Sequence, residues 1–192
     1  MKRQLLDIRV DWIAFVKGDE RIFSHIYQTF YKALYQYGIK FTRNSELVED
    51  AIQDLFVRFW KNRARLTEPP SLKNYLYKAF RNHMIEKLRA AGRYQLDDVN
   101  DQYVFDLVPS VEDVEVAIEK MDFVKQRLFR AMIPLTTRQR EAILMRYYEG
   151  FSYPEIANSM GITIKATYKL MARSIDAVRD GLGGATFVYL CD

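Results

Sequence analysis

The chain has 192 residues, with 29 Lys and Arg against 25 Asp and Glu, for a formal net charge of +4. Because 49% of the residues are apolar and 14% aromatic, the chain can build one large or two small hydrophobic cores, which excludes a disordered protein. A single cysteine, Cys191, excludes an internal disulfide and a thiolate zinc site. No apolar run reaches the length of a membrane span and the first residues are too charged for a signal peptide, so we expect a cytoplasmic protein without membrane insertion.

No residue pattern indicates catalysis. His25 and His83 are isolated, and the sequence has neither a glycine-rich phosphate loop nor a Ser, His and Asp arrangement at a motif spacing. We therefore expect both histidines to be packing or surface residues. The sequence predicts no cofactor, no metal site and no catalytic residue.

The first half of the chain predicts successive amphipathic helices. Residues 21–40 place one apolar stripe on a helix, at Phe23, Ile26, Tyr27, Phe30, Leu34 and Tyr37. Gly38 is predicted to end this helix. The next helix begins after Asn44 or Ser45 and buries Val48, Ile52, Leu55 and Phe59.

A further helix follows the break at Pro69 and Pro70. Ser71 is predicted to cap it, and Gly92 to stop it after residue 91. Helical spacing places Leu72, Leu76, Ala79 and Phe80 on the inner face. It leaves a polar outer face made of Asn74, Tyr77, Lys78, Arg81 and Asn82.

Charge is distributed in blocks. Residues 58–95 hold ten basic and two acidic side chains, a balance of +8, which favours binding to a polyanion. Residues 96–122 hold nine acidic side chains and one lysine, a balance of −8. Residues 96–112 show no sustained period and are predicted to be a flexible linker. The alternative is that both blocks are merely solvated surfaces.

Helices resume near Val111, and the second half of the chain contains the most informative pattern. Thr136 and Gln139 form a predicted capping box for a helix over residues 137–149, which Gly150 closes. Residues 153–179 have the spacing of a helix-turn-helix, with Ala157 at the close approach and Gly161 in the turn. Ile156, Met160, Ile162, Thr167 and Leu170 are predicted to face inward.

The second helix of this motif has a basic outer face. Helical spacing turns Thr163, Lys165, Tyr168, Lys169 and Ala172 outward, with Arg173 at the edge. Cations, an aromatic ring and a hydroxyl group suit phosphates and base edges. The alternative is a helical hairpin packed in the core of an α-domain with solvated lysines. The sequence thus predicts an all-α protein of two small helical domains joined by an acidic flexible linker, the second containing the helix-turn-helix.

The order of these segments resembles a known family. ELVEDAIQDLFVRFWKNR, SLKNYLYKAFRNHMIEKLR and, after the linker, LTTRQREAILMRYYEGFSYPEIANSMGIT are similar to the extracytoplasmic-function (ECF) group of sigma-70 factors of bacterial RNA polymerase. The resemblance covers residues 23–179. It implies region 2 in residues 1–95, which binds core polymerase and the opened −10 promoter element. It also implies region 4 in residues 113–182, which reads the −35 element as duplex, and leaves residues 183–192 as an unassigned tail.

The resemblance also implies which residues carry these activities. The core polymerase-binding set is Asp50, Gln53, Asp54, Phe56, Arg58 and Trp60. The −10 set is Arg63, Arg65, Ser71, Asn74, Lys78, Arg81 and Asn82, with residues 63–71 corresponding to the loop that receives a flipped base. The −35 set is Thr163, Lys165, Tyr168, Lys169 and Arg173. Tyr168 and Leu170 depart from the family pattern, which leaves Lys165, Lys169 and Arg173 as the stronger phosphate contacts.

The leading hypothesis is a promoter-specificity subunit that is not an enzyme. Its expected partners are core RNA polymerase, promoter DNA and an anti-sigma factor. The alternative is an autonomous helix-turn-helix regulator with an N-terminal sensing or dimerisation domain, and an enzyme ranks third. For the acidic connector, Asp97, Asp98, Asp101 and Asp106 are either a polyanion mimic or part of a solubilising spacer.

Overall fold

The computed structural model describes residues 11–92, 103–106 and 123–183, and these residues form helices, turns and loops without a β-strand. The chain divides into two compact units, and the division along the chain falls between Asp97 and Asp98. This point lies inside the segment that the sequence predicts to be a linker. No helix among the described residues is long and apolar enough to cross a lipid bilayer.

Unit 1 contains four α-helices in its described part. They are α1 (Trp12–Lys17), α2 (Glu20–Gly38), α3 (Ser45–Asn62) and α4 (Leu72–Ala90), and a short 3₁₀ turn, Arg63–Arg65, follows α3. The side chains of Asp11, Asp19, Asn44 and Ser71 accept backbone N–H groups at the four N-termini, which satisfies donors that a helix cannot pair internally. The sequence predicted α2, α3 and α4 but not α1.

Apolar stripes on α2, α3 and α4 meet in the core of unit 1. Its fully buried members include Ile26, Phe30 and Leu34 from α2, Val48 and Ile52 from α3, and Leu76, Phe80 and Met84 from α4. Four of the six predicted inner positions of α2 and all four of α3 are buried, whereas Phe23 and Tyr27 are half-buried. Each such side chain contributes roughly 1.5–3 kcal/mol when it leaves water.

Gly38 ends α2, as predicted, and the structure shows why glycine is needed there. It is the last residue of α2, but it is not among the glycines with a positive φ. A Cβ atom at this position would lie 2.5 Å from the side chain of Val48 and 2.9 Å from the ring of Phe80. Glycine is required here because α2 approaches α3 and α4 closely, and not because the chain needs a left-handed residue.

Helix α4 is buried over a larger part of its surface than the spacing of its apolar residues predicts. It packs against both α3 and α2. The ring centroid of Tyr77 lies 5.2 Å from that of Tyr37 on α2, and Tyr77 is 0% exposed. The prediction that Tyr77 lies on an outer polar face is therefore wrong, because a second neighbouring helix covers the flank on which it lies.

Unit 2 contains α5 (Phe123–Met132), α6 (Thr137–Ile143), α7 (Tyr153–Met160) and α8 (Ile164–Gly181) in its described part. The capping box of Thr136 and Gln139 is confirmed at the start of α6. Helix α6 continues into one wider turn, Leu144–Tyr148, before Gly150 adopts a φ of +76°. Ala131 and Leu135 pack with Val178 and Leu182, which joins α5 to the end of α8.

Residues 103–106 pack onto unit 2. Tyr103 and Phe105 are 4% and 0% exposed, and the Tyr103 hydroxyl donates to the carboxylate of Glu141, which is itself fully buried. Arg140 donates to the Phe105 carbonyl and pairs with Asp106 at 3.0 Å. The prediction of a flexible linker over residues 96–112 is wrong for these four residues, because the aromatic side chains of Tyr103 and Phe105 are buried against unit 2. Asp97, Asp98, Asp101 and the predicted helix start near Val111 lie outside the described residues.

Candidate nucleic-acid interface

The helix-turn-helix of unit 2 has the predicted geometry. Ser152 and Glu155 form a capping box at the start of α7, and Gly161 ends α7 in the left-handed conformation with a φ of +66°. A Cβ atom at Gly161 would meet nothing within 4 Å, so the conformation alone requires glycine there. Ile156 and Thr167 are fully buried, which fixes the rotation of α8 about its axis.

The predicted −35 residues share one exposed face of α8. Thr163 caps the helix by accepting the Ala166 N–H, and the side chains of Lys165, Tyr168, Lys169 and Arg173 are exposed. Within the described part of the chain, none of the three cations forms an ion pair. Three exposed cations suit a phosphate backbone, and Lys165 lies in the first turn of α8, where the helix N-terminus adds a partial positive charge.

The sequence did not reveal what supports Tyr168. The Tyr153 ring meets Tyr168 edge to face with 4.6 Å between centroids, and the Arg146 guanidinium lies 5.3 Å from the Tyr153 centroid. Arg146 also donates to the Phe151 carbonyl at 3.0 Å. This stack holds the exposed Tyr168 ring at the face of α8, and its members come from three elements that no local spacing connects.

The predicted polymerase-binding stripe on α3 is only partly exposed. Asp50, Gln53 and Arg58 are exposed, as their helical spacing predicted. Phe56 is 2% exposed and packs edge to face on Tyr27 at 4.9 Å, so its side chain belongs to the core. The assignment of Phe56 to a binding surface is wrong, because aromatic rings of α2 cover its side chain.

Asp54, on α3, is bound by two side chains of α4. Its Oδ2 atom lies 2.8 Å from Lys87 Nζ and 3.2 Å from His83 Nε2, while half of its side chain stays exposed. The hydrogen bond from Lys87, and secondarily that from His83, lowers the pKa of this carboxyl below its usual value. His83 is 8% exposed, so it is an internal partner of a surface acid and not an isolated residue. The sequence could not pair residues so far apart along the chain.

Trp60 and Arg63 also have internal partners. The Arg63 guanidinium carbon lies 4.1 Å from the Trp60 ring centroid, and Nη1 donates to the Trp60 carbonyl at 2.9 Å. The Trp60 ring contacts Phe15 and Phe23 with centroids 6.1 and 4.8 Å away. Arg63 was predicted to be a loop cation for DNA. It is instead folded onto an aromatic ring, because a guanidinium stacks on a π-face more readily than other cations do.

The remaining predicted −10 residues differ in exposure. Arg65 and Asn82 are exposed, and Lys78 is partly exposed. The Ser71 hydroxyl accepts the Asn74 N–H at 3.1 Å and so caps α4. Arg81 is 7% exposed, so the prediction that it lies on an open polar face is wrong, whereas the role predicted for Asn74 stays a prediction. Helix α4 buries more than one flank, and the apolar stem of an arginine can itself cover a core.

Comparisons with known proteins agree with this two-part architecture. The family model for Sigma-70 region 2 matches residues 26–94, and that for Sigma-70, region 4 matches residues 125–177. The chain is 23% identical over 163 residues to the ECF RNA polymerase sigma factor SigL of Mycobacterium tuberculosis, with 82% of this chain and 89% of the relative covered. It is 23% identical to the ECF sigma factor SigX of Bacillus subtilis, covering 85% and 88%. It spans only 66% of the SigE sigma factor of Mycolicibacterium smegmatis, at 22% identity.

Solved structures show the same fold. CnrH, solved in complex with the cytosolic domain of CnrY, has a TM-score of 0.59 at 21% identity, with 91% of this chain and 96% of that chain covered. RpoE of Bartonella quintana, solved in complex with the anti-sigma factor NepR, has a TM-score of 0.58 at 23% identity, covering 84% and 96%.

Proposed function

The chain belongs to the ECF group of the sigma-70 family of bacterial RNA polymerase sigma factors, and we propose that its two units divide promoter recognition between them. Unit 2 binds the −35 element as duplex DNA through the outer face of α8. Unit 1 binds core RNA polymerase through α3 and the opened −10 strand through the 63–71 loop and α4. The observation that carries this proposal is the exposed row of Thr163, Lys165, Tyr168, Lys169 and Arg173 on a helix whose opposite side is buried.

The α8 face supports the −35 assignment by its chemistry. Three exposed cations on this face, Lys165, Lys169 and Arg173, have no acidic partner among the described residues. They can therefore pair with phosphate oxygens of DNA. Tyr168 is 57% exposed and held by Tyr153, which offers an ordered ring and hydroxyl to a base edge or sugar. Thr163 lies at the helix N-terminus, where recognition helices contact base edges.

The α3 surface supports polymerase binding. Asp50 and Gln53 are exposed on the face of α3 that also carries Asp54, and Arg58 lies one further turn along. An acidic and amide surface of this kind can pair with a complementary charged surface of a partner. Lys87 and His83 hold Asp54 in one position, so this carboxylate loses little side-chain freedom on binding.

The −10 assignment uses the exposed members of its set. Arg65 is the last residue of the 3₁₀ turn at the start of the 63–71 loop, and Asn82 and Lys78 lie on α4. Cations attract the single-strand backbone, and an amide can hydrogen-bond an unpaired base edge. The protein acts as a transcription initiation factor without an active site of its own, and it works in the cytoplasm because core polymerase does.

An anti-sigma factor completes the proposed set of partners. Both CnrH and RpoE, whose folds this chain shares, were solved in complexes, the second with the anti-sigma factor NepR. We propose that a protein inhibitor also binds the present chain and covers its polymerase-binding or DNA-binding surface.

Run-off transcription with purified core RNA polymerase tests the proposed function. We expect the chain to direct transcripts from a subset of promoter fragments, and to bind the same fragments weakly without core polymerase. The control replaces Lys165 and Lys169 with Gln, which should abolish −35-dependent transcripts and leave core binding intact. Tight, dimeric binding to a symmetric site without core polymerase would instead establish the autonomous regulator and overturn the proposal.

A further inference from the structure

Helix α1 lies outside the part of the chain that the region 2 family model matches, which begins at residue 26. It is nevertheless firmly attached to unit 1. Phe15 is fully buried, and its ring stacks on Phe59 with 4.6 Å between centroids. Trp12 lies 6.3 Å from the same ring. Six residues of helix therefore cover the end of α3 from which the 63–71 loop departs.

Arg63, the first residue of that loop, connects α1 with α3. Its guanidinium stacks on Trp60 and donates to the Trp60 carbonyl, while its Nε atom is buried without a hydrogen-bond partner. A buried guanidinium nitrogen costs free energy unless the surrounding contacts repay it. The stack on Trp60 and the hydrogen bond from Nη1 offset this cost and hold the side chain against α3, so that it does not extend from the loop toward DNA.

Gly18, which ends α1, makes room for this arginine. Its φ is +96°, and a Cβ atom there would lie 3.2 Å from Arg63 Nη2 and 3.4 Å from Nε. The positive φ therefore favours glycine at this position, and an alanine methyl group would press on the guanidinium, which would have to move by a few tenths of an ångström. Gly92 offers a matched comparison within the same unit, because its φ is +67° and a Cβ atom there would meet nothing within 4 Å.

We propose that α1, through Gly18, and Arg63 form a positioning element for the 63–71 loop, and that Arg63 sets the geometry with which this loop selects a −10 base instead of contacting a phosphate. This inference rests on the proposed function, because it assumes that the loop receives a promoter base. It assigns α1 a role in base selection that acts through the contact of Gly18 with Arg63.

The two roles for Arg63 predict different salt and sequence dependence. A phosphate contact contributes equally to every sequence, and its loss lowers the log–log salt slope for a single strand by about 0.7. A positioning residue changes the preference among bases and leaves the salt slope as it is. We expect about a fivefold loss of preference, because only part of the free energy of the cation–π contact and the hydrogen bond bears on the geometry of the loop.

The experiment uses the chain bound to core RNA polymerase and a pool of single-stranded oligonucleotides randomised across the −10 element. Bound strands are sequenced, and the enriched strand is then titrated over a salt series. The variants are Arg63→Ala, Gly18→Ala, their double mutant and the control Gly92→Ala. Core affinity and melting temperature are measured for each variant.

We expect Arg63→Ala and Gly18→Ala each to flatten the base preference about fivefold at an unchanged salt slope. The double mutant should be no worse than Arg63→Ala, because the methyl group added at Gly18 acts on the base preference only through the Arg63 side chain. Gly92→Ala also places a side chain at a positive φ but meets no neighbouring atom, so this variant should keep the wild-type preference.

Two results would overturn the inference while leaving the proposed function in place. One is a uniform loss of affinity with a lower salt slope in Arg63→Ala, and the other is a wild-type preference in both single variants. A wild-type complex that shows no base preference at all would instead contradict the proposed function, and the inference with it.

Discussion

The outer face of α8 and the surface formed by α3 and α4 carry similar residue types but use them differently. On α8, Lys165, Lys169 and Arg173 are exposed and have no acidic partner among the described residues. On α3 and α4, Asp54 is held by Lys87 and His83, and Arg81 is buried. Helices α4 and α8 each pack on two other helices, but α8 keeps its basic face exposed, whereas Tyr77 and Arg81 on the predicted polar face of α4 are buried. A charged residue is a reliable candidate for a contact only where the fold leaves its whole face open.

The two glycines that end α2 and α7 give the largest expected difference between the units. Gly38→Ala places a methyl group 2.5 Å from Val48, and we expect a loss of about 2–3 kcal/mol in unfolding free energy from overpacking. Gly161→Ala meets no neighbour and should cost only about 1 kcal/mol, through its positive φ. Urea denaturation of both variants checks this order. Equal losses would show that packing of α2 does not decide the requirement at Gly38.

Substitutions of the α8 cations test the open face. Lys169→Gln should lower duplex affinity for a −35 fragment about tenfold and reduce the log–log salt slope by about 0.9, because one phosphate contact is lost. Arg179→Gln is the control, since Arg179 is exposed on the last turn of α8 but pairs with Asp176. Filter binding by the polymerase complex across a salt series measures both slopes. If Arg179→Gln lowered the slope as much as Lys169→Gln, the assignment of the contact face would fail.

Substitutions of two acidic residues on α3 test the surface on which a charged side chain already has internal partners. Asp54→Asn should lower the unfolding free energy by about 1 kcal/mol or less, because Lys87 and His83 lose a charged partner that is half exposed. Asp50→Asn should leave stability unchanged, since Asp50 is exposed and has no partner among the described residues. Both variants should weaken core polymerase binding. Thermal denaturation and a competition assay for core polymerase separate the two effects, and equal stabilities would contradict the proposed anchoring of Asp54.

The smallest expected effect is the pH dependence of the same anchor. The pKa of Asp54 is lowered from 3.8 by the Lys87 and His83 hydrogen bonds, so the folded state binds this proton less readily than the unfolded state. Its contribution to stability is therefore present above pH 3.8 and is lost as the pH falls through the lower folded value. Half exposure limits the contribution to less than about 1 kcal/mol. The difference in stability between wild type and Asp54→Asn should shrink on acidification, and a constant difference would contradict the ion pair.

Local signals in the sequence predicted much of the fold. Cap residues such as Ser71 and Thr136 and the apolar stripe of α2 located helices, because both depend on residues within a few positions of one another. The roles of Phe56 and Arg63 were not predicted correctly. Their surroundings come from α2 and α1, and the periodicity of α3 alone cannot show which of its flanks a second helix covers.

The sequence by itself determined that the chain is helical, that its charge falls in opposite blocks, and that α7 and α8 form a helix-turn-helix with a basic outer face. These properties follow from short-range spacing and composition. Only the tertiary structure decided that Tyr103 binds Glu141, that Lys87 and His83 hold Asp54, and that Gly18 makes room for Arg63. Each of these contacts joins residues that are distant along the chain, and its energy depends on burial and distance, which no one-dimensional pattern specifies.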